Sequence, residues 1–454
     1  MKKSDIIIIG SGPGGYNTAV YAAKSGLSAT IIEAHEAGGT CLNCGCIPTK
    51  SLCKNAEIIE NIKNADTFGL QVQHYDIDFA KIMKRKDDVV QQLRNGVETL
   101  MQSPGITFVH GLAKFKDAQT VVVDEEEYTA DNIIIATGSS SKIPPIEGTS
   151  LPGVVDSTEL LNITSIPARL CIIGAGVIGM EFASIFNSFG SKVTVIEFMK
   201  ECLPMLDGDI AKRLRQTLNK RGIDFIMQSA VKNIQQSKGE NGNPQLAVNY
   251  EKKGAMMQTD ADVVLIATGR KPNIAELQLD KAGIAYSAKG ISVDGNYKTN
   301  VSNIYAIGDV NGLCMLAHAA TFQGVHAINH ITGKTDSIQF DTMPAAIFTN
   351  PEAACVGKSE EQLKAAGVQY ECRKGFYRSN GKALAMHETD GLVKLFIDKA
   401  DNKIIGCHAF GAHSSDMVQE VAALMHTEAT ATTLADIIHI HPTLAEILHG
   451  TVGI

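Results

Sequence analysis

The hydrophobic and polar positions of the chain repeat one pattern twice. The first copy, DIIIIGSGPGGYNTAVYAAKSG, begins at Asp5, and the second, LCIIGAGVIGMEFASIFNSFG, begins at Leu170. In each copy a short apolar run typical of a buried strand leads into glycines and then into apolar positions at helical spacing. Each copy continues into a second apolar run that ends on an acid, Glu33 in ATIIE and Glu197 in KVTVIE. The pattern therefore predicts two β-α-β units.

Each unit also places three glycines, spaced G-x-G-x-x-G, between its first strand and its helix. The first glycine permits a tight turn, the second lets the backbone approach a pyrophosphate, and the third lets the helix pack on the strand. The acid follows the second glycine by 21 residues in both copies, where its carboxylate can receive ribose hydroxyls. We therefore predict two dinucleotide sites; the alternative is two glycine turns in an α/β sheet that bind nothing. The glycines are Gly10, Gly12, Gly15, Gly174, Gly176 and Gly179.

Further apolar runs close the two units and introduce a third region. DNIIIATGS ends at Ser139 and DVVLIATGR ends at Arg270, and both read as closing strands. Pro144 and Pro145 mark a hinge between the units, and NIYAIGDV predicts one more strand ending beside Asp309. From about residue 340 the pattern changes to a strand hairpin and a helix. We predict an α/β fold with two Rossmann-like dinucleotide-binding domains and a C-terminal α+β domain. The predicted ranges are 1–146 with a returning segment 272–338, then 147–271, and finally 339–454.

The composition narrows the class of protein. The 454 residues are 44% hydrophobic and 20% charged, as in ordinary globular proteins, and the net charge of −8 argues against a nucleic-acid surface. The opening MKKSDIIIIG has too short an apolar core for a signal peptide, and no stretch approaches the roughly 20 apolar residues of a membrane span. Ten cysteines in so long a chain do not make a secreted disulfide scaffold. These features predict a cytoplasmic enzyme that binds neither membrane nor nucleic acid.

Three of the cysteines are clustered in GGTCLNCGCIPTKSL at residues 38–52. Cys41, Cys44 and Cys46 precede Lys50, and they could be a redox pair with a bystander, zinc ligands, or buried residues. Structural zinc usually takes four ligands in paired clusters, and no second cysteine or histidine pair of that spacing follows, so we expect no metal. Two dinucleotide sites suggest a flavin and a nicotinamide, because hydride passes directly between them.

Several motifs together resemble the flavin-dependent disulfide oxidoreductases. They are the two glycine fingerprints, GGTCLNCGCIPTK, ATGS, ATGRKPN, IYAIGDV and HIHPTLAE, and they span Ile6 to Glu446. Within the family the pattern is most similar to the members that oxidise dihydrolipoamide with NAD+, as is GKALAMHETDGLVK. The resemblance implies FAD and NAD as cofactors and a homodimer formed through the C-terminal domain. It also implies that the partners are lipoyl domains of a 2-oxoacid dehydrogenase-type or related multienzyme complex.

The resemblance further implies residue roles. Cys41 would exchange with the substrate and Cys46 would face the flavin, so the two would form the redox disulfide. Lys50 would lie near the flavin ring with Glu181 as its ion-pair partner. In the C-terminal motif, His441 would be the acid/base, supplied by the partner subunit, and Glu446 would orient it. Besides the fingerprint glycines, the implied FAD positions are Glu33, Thr40, Lys50, Ala113, Gly138, Asp309 and Ala317, and the implied NAD positions are Glu197, Val231 and Gly269.

Local geometry constrains the pair that the resemblance implies. A regular helix separates residues i and i+5 by about 7.5 Å of rise, whereas a disulfide holds its Cα atoms roughly 4.4–6.8 Å apart. An irregular turn must therefore lie between Cys41 and Cys46, and Gly45 supplies the freedom for it. Because Pro48 favours a first helical turn, we expect Cys46 at a helix N-terminus, which lowers thiol pKa values. Cys44 departs from the family pattern, and a bridge from Cys41 to Cys44 is the competing pairing.

Three other functions stay open. One is reduction of a different disulfide, although a glutathione-type enzyme would want cations for its substrate's carboxylates and for NADPH. Another is reduction of a metal ion, although a mercuric-type enzyme would want a cysteine pair near the C-terminus, and HGTVGI has none. A different class is a scaffold that docks in a multienzyme complex, with catalysis secondary.

Overall fold

The computed structural model describes residues 2–238 and 244–453, and these residues form two compact units. The first unit contains Met1–Ser51, Ala80–Lys142 and Gly269–Ile338, and the second contains Leu52–Phe79, Ile143–Thr268 and Gln339–Ile454. The predicted division into three domains is not tested by these units and stays a prediction.

The two predicted β-α-β units are present, at residues 2–33 and 169–196. The strands are β1 (Lys2–Ile9), β2 (Ala29–Glu33), β3 (Ile106–His110), β4 (Lys114–Phe115), β5 (Thr120–Val123), β6 (Glu126–Ile135), β7 (Ser139–Ser141), β8 (Val154–Val155), β9 (Arg169–Ile173), β10 (Lys192–Ile196), β11 (Asp224–Ile226), β12 (Ser229–Lys238), β13 (Pro244–Lys252), β14 (Ala255–Ala261), β15 (Val263–Ile266), β16 (Arg270–Pro272), β17 (Tyr286–Ser287), β18 (Gly290–Ile291), β19 (Ile304–Ala306), β20 (Ala345–Ile347), β21 (Ala353–Gly357), β22 (Tyr370–Phe376), β23 (Leu392–Asp398) and β24 (Ile404–Phe410). The helices are α1 (Pro13–Lys24), α2 (Gly39–Cys44), α3 (Cys46–Lys63), α4 (Phe79–Met101), α5 (Ser157–Leu160), α6 (Val177–Ser188), α7 (Gly208–Lys220), α8 (Ala317–Ile331), α9 (Glu360–Ala365), α10 (Gly381–Ala385), α11 (Ser414–His426), α12 (Ala431–Asp436) and α13 (Glu446–Val452).

The first unit is built on one mixed sheet with strand order β3-β2-β1-β6-β5-β4, and β19 also pairs with β6. Strands β3, β2, β1, β6 and β19 are parallel, while β5 runs antiparallel to its neighbours. The isoleucine runs at residues 6–9 and 133–135 are buried along their whole length. Continuous burial of this kind is expected where a parallel sheet is covered on both faces, and it explains why the strands are uniformly apolar.

A short antiparallel ribbon joins the segments that follow the two closing strands. In this ribbon β7 pairs with β16, with Ser139 opposite Pro272 and Ser141 opposite Arg270. The amide of Asn273 donates to the carbonyl of Gly138 at 3.0 Å, and the Thr137 hydroxyl donates to the Asn273 carbonyl at 2.8 Å. The two repeated Ala-Thr-Gly motifs therefore lead into paired backbone.

The second unit contains a parallel sheet in the order β11-β10-β9-β15-β8 and a three-stranded antiparallel sheet, β12-β13-β14. Its C-terminal part is an antiparallel sheet in the order β20-β21-β24-β23-β22. The predicted hairpin around residues 401 and 402 is confirmed, because β23 and β24 pair across it and Asn402 has a φ of 62°. Side chains of α11, such as Val418 and Val421, are buried in the same core as this sheet.

One buried ion-pair network in the second unit has no counterpart in the sequence patterns. Lys394 of β23 is 1% exposed, and its ammonium lies 2.6 Å from Asp207 and 2.7 Å from Glu360. The Asp207 side chain also accepts a hydrogen bond from the Asp209 N–H, so Asp207 is the N-cap of α7. Nearby, the Asp207 backbone N–H donates to Nδ1 of His408, and burial lowers the pKa of His408 to about 4. The buried lysine is stabilised because both of its carboxylate partners are held close to it.

Candidate active site

The two glycine fingerprints have the same local structure. Gly10 follows β1 with a φ of 103°, and Gly174 follows β9 with a φ of 108°, in the left-handed region that favours glycine. A Cβ on Gly10 would overlap the carbonyl of Ala136, and one on Gly174 would overlap the carbonyl of Ala267. Both alanines begin an Ala-Thr-Gly motif, so each fingerprint packs against the end of its own closing strand.

The acids of the two units are held by the fingerprint loops. Glu33 accepts hydrogen bonds from the backbone N–H and hydroxyl of Ser11 at 2.7 and 2.8 Å and from the His35 N–H at 2.9 Å. Glu197 accepts from the Ala175 N–H at 2.6 Å and from the Met199 N–H at 2.7 Å. These bonds fix each carboxylate beside the loop that would hold the pyrophosphate.

The helices that follow the fingerprints can also face phosphates. The N-cap residues of α1 and α6 are Gly12 and Gly176, which have no side chain to occupy the first N–H groups of the helix. Those groups and the positive end of the helix dipole favour an anion. A Cβ on Gly15 or Gly179 would overlap the first glycine's carbonyl, so the third glycine of each fingerprint is required by packing.

The remaining predicted FAD positions all lie in the first unit. Thr40 is in α2, Ala113 is buried just before β4, and Gly138 has a φ of 68° between β6 and β7. Asp309 lies three residues after β19, and its carboxylate accepts a hydrogen bond from the Ser139 hydroxyl. Ala317 is the first residue of α8, where its backbone N–H has no helical acceptor of its own.

The predicted NAD positions are split between the units. Val231 lies in β12 of the second unit, at a register shift between Val231 and Asn233. Gly269 begins the last segment of the first unit with a φ of 117°. The structure therefore groups Val231, but not Gly269, with Glu197 in one unit.

The cysteine cluster lies at a break between two helices. α2 ends at Cys44, and α3 begins at Cys46. A Cβ on Gly45 would lie 2.8 Å from the Thr40 carbonyl oxygen, so any larger residue would have to displace the turn. The predicted irregular turn between Cys41 and Cys46 is confirmed, and so is the position of Cys46 at a helix N-terminus.

The break brings the thiols of Cys41 and Cys46 into hydrogen-bond contact. This hydrogen bond raises the pKa of the Cys41 thiol far above its usual range, and burial and the charge of Cys46 raise it further. The charge of Lys50, one turn along α3 from Cys46, acts in the opposite direction. The proximity of Cys46 therefore favours the protonated form of Cys41.

Cys44 occupies a different environment. It is the last residue of α2, before the break, and it is partly buried. The side chain of its neighbour Asn43 donates to the carbonyls of Ala37 and Gly39 and accepts from Arg94 Nε at 2.9 Å. These contacts anchor the end of α2. Cys44 lies at a helix C-terminus, where the dipole opposes a thiolate.

The predicted charge partner of Lys50 is buried in the second unit. Glu181 is 4% exposed in α6, and its carboxylate accepts the Phe348 N–H at 2.9 Å. The carbonyl of Phe348 in turn accepts from the Cys53 thiol at 3.3 Å. Lys50 belongs to the first unit, and its pairing with Glu181 stays a prediction.

The C-terminal histidine and carboxylate are in contact. His441 Nδ1 lies 2.9 Å from Glu446 Oε1, and Glu446 Oε2 accepts the Thr443 N–H at 2.9 Å. The hydrogen bond from the Thr443 N–H lowers the pKa of Glu446, and the contact with His441 lowers it further. The carboxylate therefore holds Nδ1 in its protonated form and leaves Nε2 for proton exchange. The His441 side chain is 80% exposed within one protomer.

The neighbouring His439 has a different environment. Its side chain is 6% exposed, with Nε2 at 2.9 Å from Glu420 and Nδ1 at 3.0 Å from the Ile437 carbonyl. Both ring nitrogens are occupied by structural contacts.

Two residues beside the predicted site were missed by sequence reasoning. Arg270 donates to the Ser139 hydroxyl through Nε at 2.7 Å and to the Ser139 carbonyl through Nη2 at 2.6 Å. Ser139 in turn contacts Asp309. The signal was available, because each residue directly follows an Ala-Thr-Gly motif.

Comparison with known sequences places this geometry in a family. Residues 4–324 match the family described as pyridine nucleotide-disulphide oxidoreductase, and residues 343–452 match its dimerisation domain. The chain belongs to this family. As a pyridine nucleotide-disulphide oxidoreductase it is an enzyme that uses FAD and NAD(H), and the predicted α/β fold is confirmed. The dimerisation domain supports the predicted homodimer.

Individual relatives match this chain over almost its whole length. A dihydrolipoyl dehydrogenase of Chlamydia muridarum is 38% identical, covering 98% of this chain and 95% of the relative. One of Geobacillus stearothermophilus is 38% identical, covering 98% and 94%. Among solved structures, the Cu(II) complex of the HOCl-induced flavoprotein disulfide reductase RclA from Escherichia coli is similar with a TM-score of 0.87. The two chains are 33% identical, and the match covers 100% of this chain and 99% of the other.

In residues 2–238 and 244–453 no helix is both long and apolar enough to cross a membrane. The same residues contain no group of three or more His, Cys, Asp or Glu side chains placed to hold a metal ion.

Proposed function

We propose that the protein is a dihydrolipoyl dehydrogenase, which oxidises dihydrolipoamide to lipoamide and transfers the electrons through FAD to NAD+. The observation that carries the proposal is the thiol contact between Cys41 and Cys46 across the break at Gly45. Two thiols must be neighbours before a disulfide can join them, and Cys41 and Cys46 are neighbours. The substrate is supported by the relatives named dihydrolipoyl dehydrogenase at 38% identity.

The residues of the first unit fit FAD. A Cβ on Gly12 would have only Gly39 Cα within 4 Å, so the space beside this glycine is open. Glu33 is fixed beside the loop, and the N-terminus of α1 can face the pyrophosphate. When bound, FAD supplies the acceptor for the thiol electrons and passes hydride to NAD+. Thr40, Lys50, Ala113, Gly138, Asp309 and Ala317 complete the proposed FAD site, and Glu197, Val231 and Gly269 join the second fingerprint at the proposed NAD site.

The thiol chemistry starts from a disulfide between Cys41 and Cys46. His441 Nε2 takes the proton of one substrate thiol, and the resulting thiolate attacks Cys41 Sγ. The S–S bond breaks, and Cys46 leaves as a thiolate. The second substrate sulfur then attacks the first as its proton passes to the departing Cys41 sulfur, so that lipoamide closes its disulfide. Two electrons have moved to the cysteines, and one proton remains on His441.

The electrostatics of the site support this assignment of roles. The raised pKa of Cys41 favours its thiol form, and Cys46 lies at the N-terminus of α3 near Lys50, where a thiolate is stabilised. Glu446 Oε1 contacts His441 Nδ1 and so orients the imidazole ring. Glu181 is proposed to pair with Lys50, and Cys44 is proposed to take no part.

Several wider features belong to the same proposal. The chain has an FAD domain at 1–146 and 272–338, an NAD domain at 147–271, and an interface domain at 339–454. His441 of the partner subunit completes each active site. The partners are lipoyl domains of a 2-oxoacid dehydrogenase-type or related complex, and the enzyme works in the cytoplasm, a location that its composition and cysteine content support.

A second candidate is reduction of a different disulfide, favoured by the 33% identity to the flavoprotein disulfide reductase RclA. Steady-state turnover of the purified protein with NAD+ and dihydrolipoamide separates the two. We expect NADH production that depends on both substrates. A yellow flavoprotein that does not turn over dihydrolipoamide, but oxidises NADH with another disulfide, would favour the second candidate. A flavoprotein that is inactive in both assays would support a role as a docking scaffold.

A further inference from the structure

A cluster of three side chains connects the ribbon to the predicted flavin site. Arg270 of β16 binds both oxygens of Ser139, through Nε at 2.7 Å and Nη2 at 2.6 Å. The Ser139 hydroxyl donates to Asp309 Oδ2, and Arg270 Nε lies 3.9 Å from that same oxygen. All three residues belong to the first unit, and the side chains of Arg270 and Asp309 are 18% and 24% exposed.

The hydrogen-bond directions in this cluster are determined by chemistry. A guanidinium can only donate, so the Ser139 hydroxyl oxygen accepts from Arg270, and its proton is then directed to Asp309. The Ser139 hydroxyl thereby fixes Asp309 through its Oδ2 oxygen. Arg270 contributes two bonds in a rigid fork, which a lysine could not reproduce.

The sheet order indicates which half of a dinucleotide Asp309 would meet. Strands β2, β1, β6 and β19 lie side by side in that order, with neighbours about 4.8 Å apart. Glu33 ends β2, and the fingerprint loop follows β1. A dinucleotide with its adenosine ribose at Glu33 and its pyrophosphate at the loop must extend its other half past β6 toward β19. Asp309 follows β19, so it lies on the flavin side.

We propose that Arg270 is a positioning residue for the flavin half of FAD, acting through Ser139 on the carboxylate of Asp309. The inference rests on the proposed placement of Asp309 in the FAD site. Arg270 orients that carboxylate and keeps a positive charge beside it. Because β16 is the segment with which the chain re-enters the first unit, Arg270 also ties this re-entry point to the cofactor site.

Binding of FAD and of ADP separates positioning from general support of the fold. ADP carries only the adenosine and pyrophosphate part, which the fingerprint loop and Glu33 would hold, whereas FAD also needs Asp309. In Arg270→Met we expect the dissociation constant of FAD, measured by flavin fluorescence on dilution of the full-length holoenzyme, to rise about tenfold or more. ADP binding to the full-length chain after FAD removal, measured by calorimetry, should change less than about twofold.

Three further variants make the test decisive. Lys271→Met, which removes the exposed neighbouring cation of the same strand, should alter neither affinity. Ser139→Ala should weaken FAD binding, and adding Arg270→Met to it should cost less than the sum of the two, because the residues act in series. Arg270→Lys keeps the charge without the fork; it should also weaken FAD binding selectively, and it serves if Arg270→Met does not fold.

Other outcomes would overturn the inference. Equal loss of FAD and ADP affinity in Arg270→Met and Arg270→Lys would mean that Arg270 merely supports the fold. Unchanged FAD affinity in both would mean that it does not position the cofactor. If Asp309→Asn binds FAD normally while Arg270→Met does not, Arg270 does not act through Asp309. None of these measurements uses dihydrolipoamide. The role of Arg270 can therefore be refuted while the proposed activity stands, and the proposed activity can be refuted while the role of Arg270 stands.

Discussion

Substitution of Glu197 should change the nicotinamide preference of the enzyme. Its carboxylate is held beside the second fingerprint by the N–H groups of Ala175 and Met199, where the ribose 2′ position would arrive. A carboxylate accepts hydrogen bonds from the ribose hydroxyls of NAD but repels the 2′-phosphate of NADP. Nearby cations are few, because Lys200 is followed by Glu201, and Glu201 is paired with Arg215 at 2.6 Å. We therefore expect the protein to prefer NAD, and Glu197→Ala to relax that preference.

The size of the change in preference follows from two contributions, weaker binding of NAD and weaker repulsion of NADP. Loss of hydrogen bonds from a charged acceptor costs about 1.5–3 kcal/mol for NAD, which is about 10–100-fold in kcat/KM. Removing one negative charge roughly 4 Å from the 2′-phosphate removes about 4 kcal/mol of repulsion toward NADP. This figure applies at an effective dielectric constant of about 20, before salt screening. The preference, expressed as the ratio of the two kcat/KM values, should then fall by at least about 100-fold.

The assay is oxidation of NADH and of NADPH by an artificial electron acceptor, which bypasses the thiols. Glu33→Ala is the matched control, because Glu33 is held in the same way in the first unit. It should loosen FAD binding while leaving the NADH-to-NADPH ratio unchanged. A wild-type enzyme that uses NADPH as well as NADH, or an unchanged ratio in Glu197→Ala, would refute the reasoning.

Three other predictions concern the thiols and the base. His441→Gln should slow dithiol oxidation about 10²–10⁴-fold while NADH oxidation by an artificial acceptor survives; unchanged dithiol turnover would remove His441 as the base. Cys44→Val should keep near-normal dithiol:NAD+ activity, whereas Cys41→Ser and Cys46→Ser should each abolish it; loss of activity in Cys44→Val with flavin retained would reverse this assignment. Gly45→Ala places a Cβ 2.8 Å from the Thr40 carbonyl, so it should lower dithiol turnover several-fold and slow re-formation of the disulfide; wild-type rates would show that the turn tolerates a side chain.

Local features of the site could be predicted from the sequence. The spacing from each fingerprint to Glu33 or Glu197 is a property of a single β-α-β unit, and the structure holds both carboxylates at the loop. The helix start at Cys46 and the break at Gly45 follow from short-range rules on proline and glycine. Each of these predictions depends on residues that are close in the chain.

Contacts between distant segments could not be predicted. Arg270 and Ser139 are 131 residues apart, and they meet only because β7 and β16 pair in a ribbon whose register no local pattern specifies. Lys394 is the one charged residue in the apolar run at residues 392–397, and it is buried between Asp207 and Glu360. In both cases the deciding partner is supplied by tertiary structure.

The central claim is that Cys41 and Cys46 form the redox disulfide, and peptide mapping of the oxidised, unreduced enzyme tests it most directly. Active protein should be alkylated without reduction, digested and analysed by mass spectrometry, so that the bridged pair stays linked. The account predicts a dominant linkage of Cys41 to Cys46, with Cys44 alkylated, and loss of that linkage after titration with dihydrolipoamide. A dominant linkage of Cys41 to Cys44 in active enzyme, or no linkage that dihydrolipoamide removes, would contradict it.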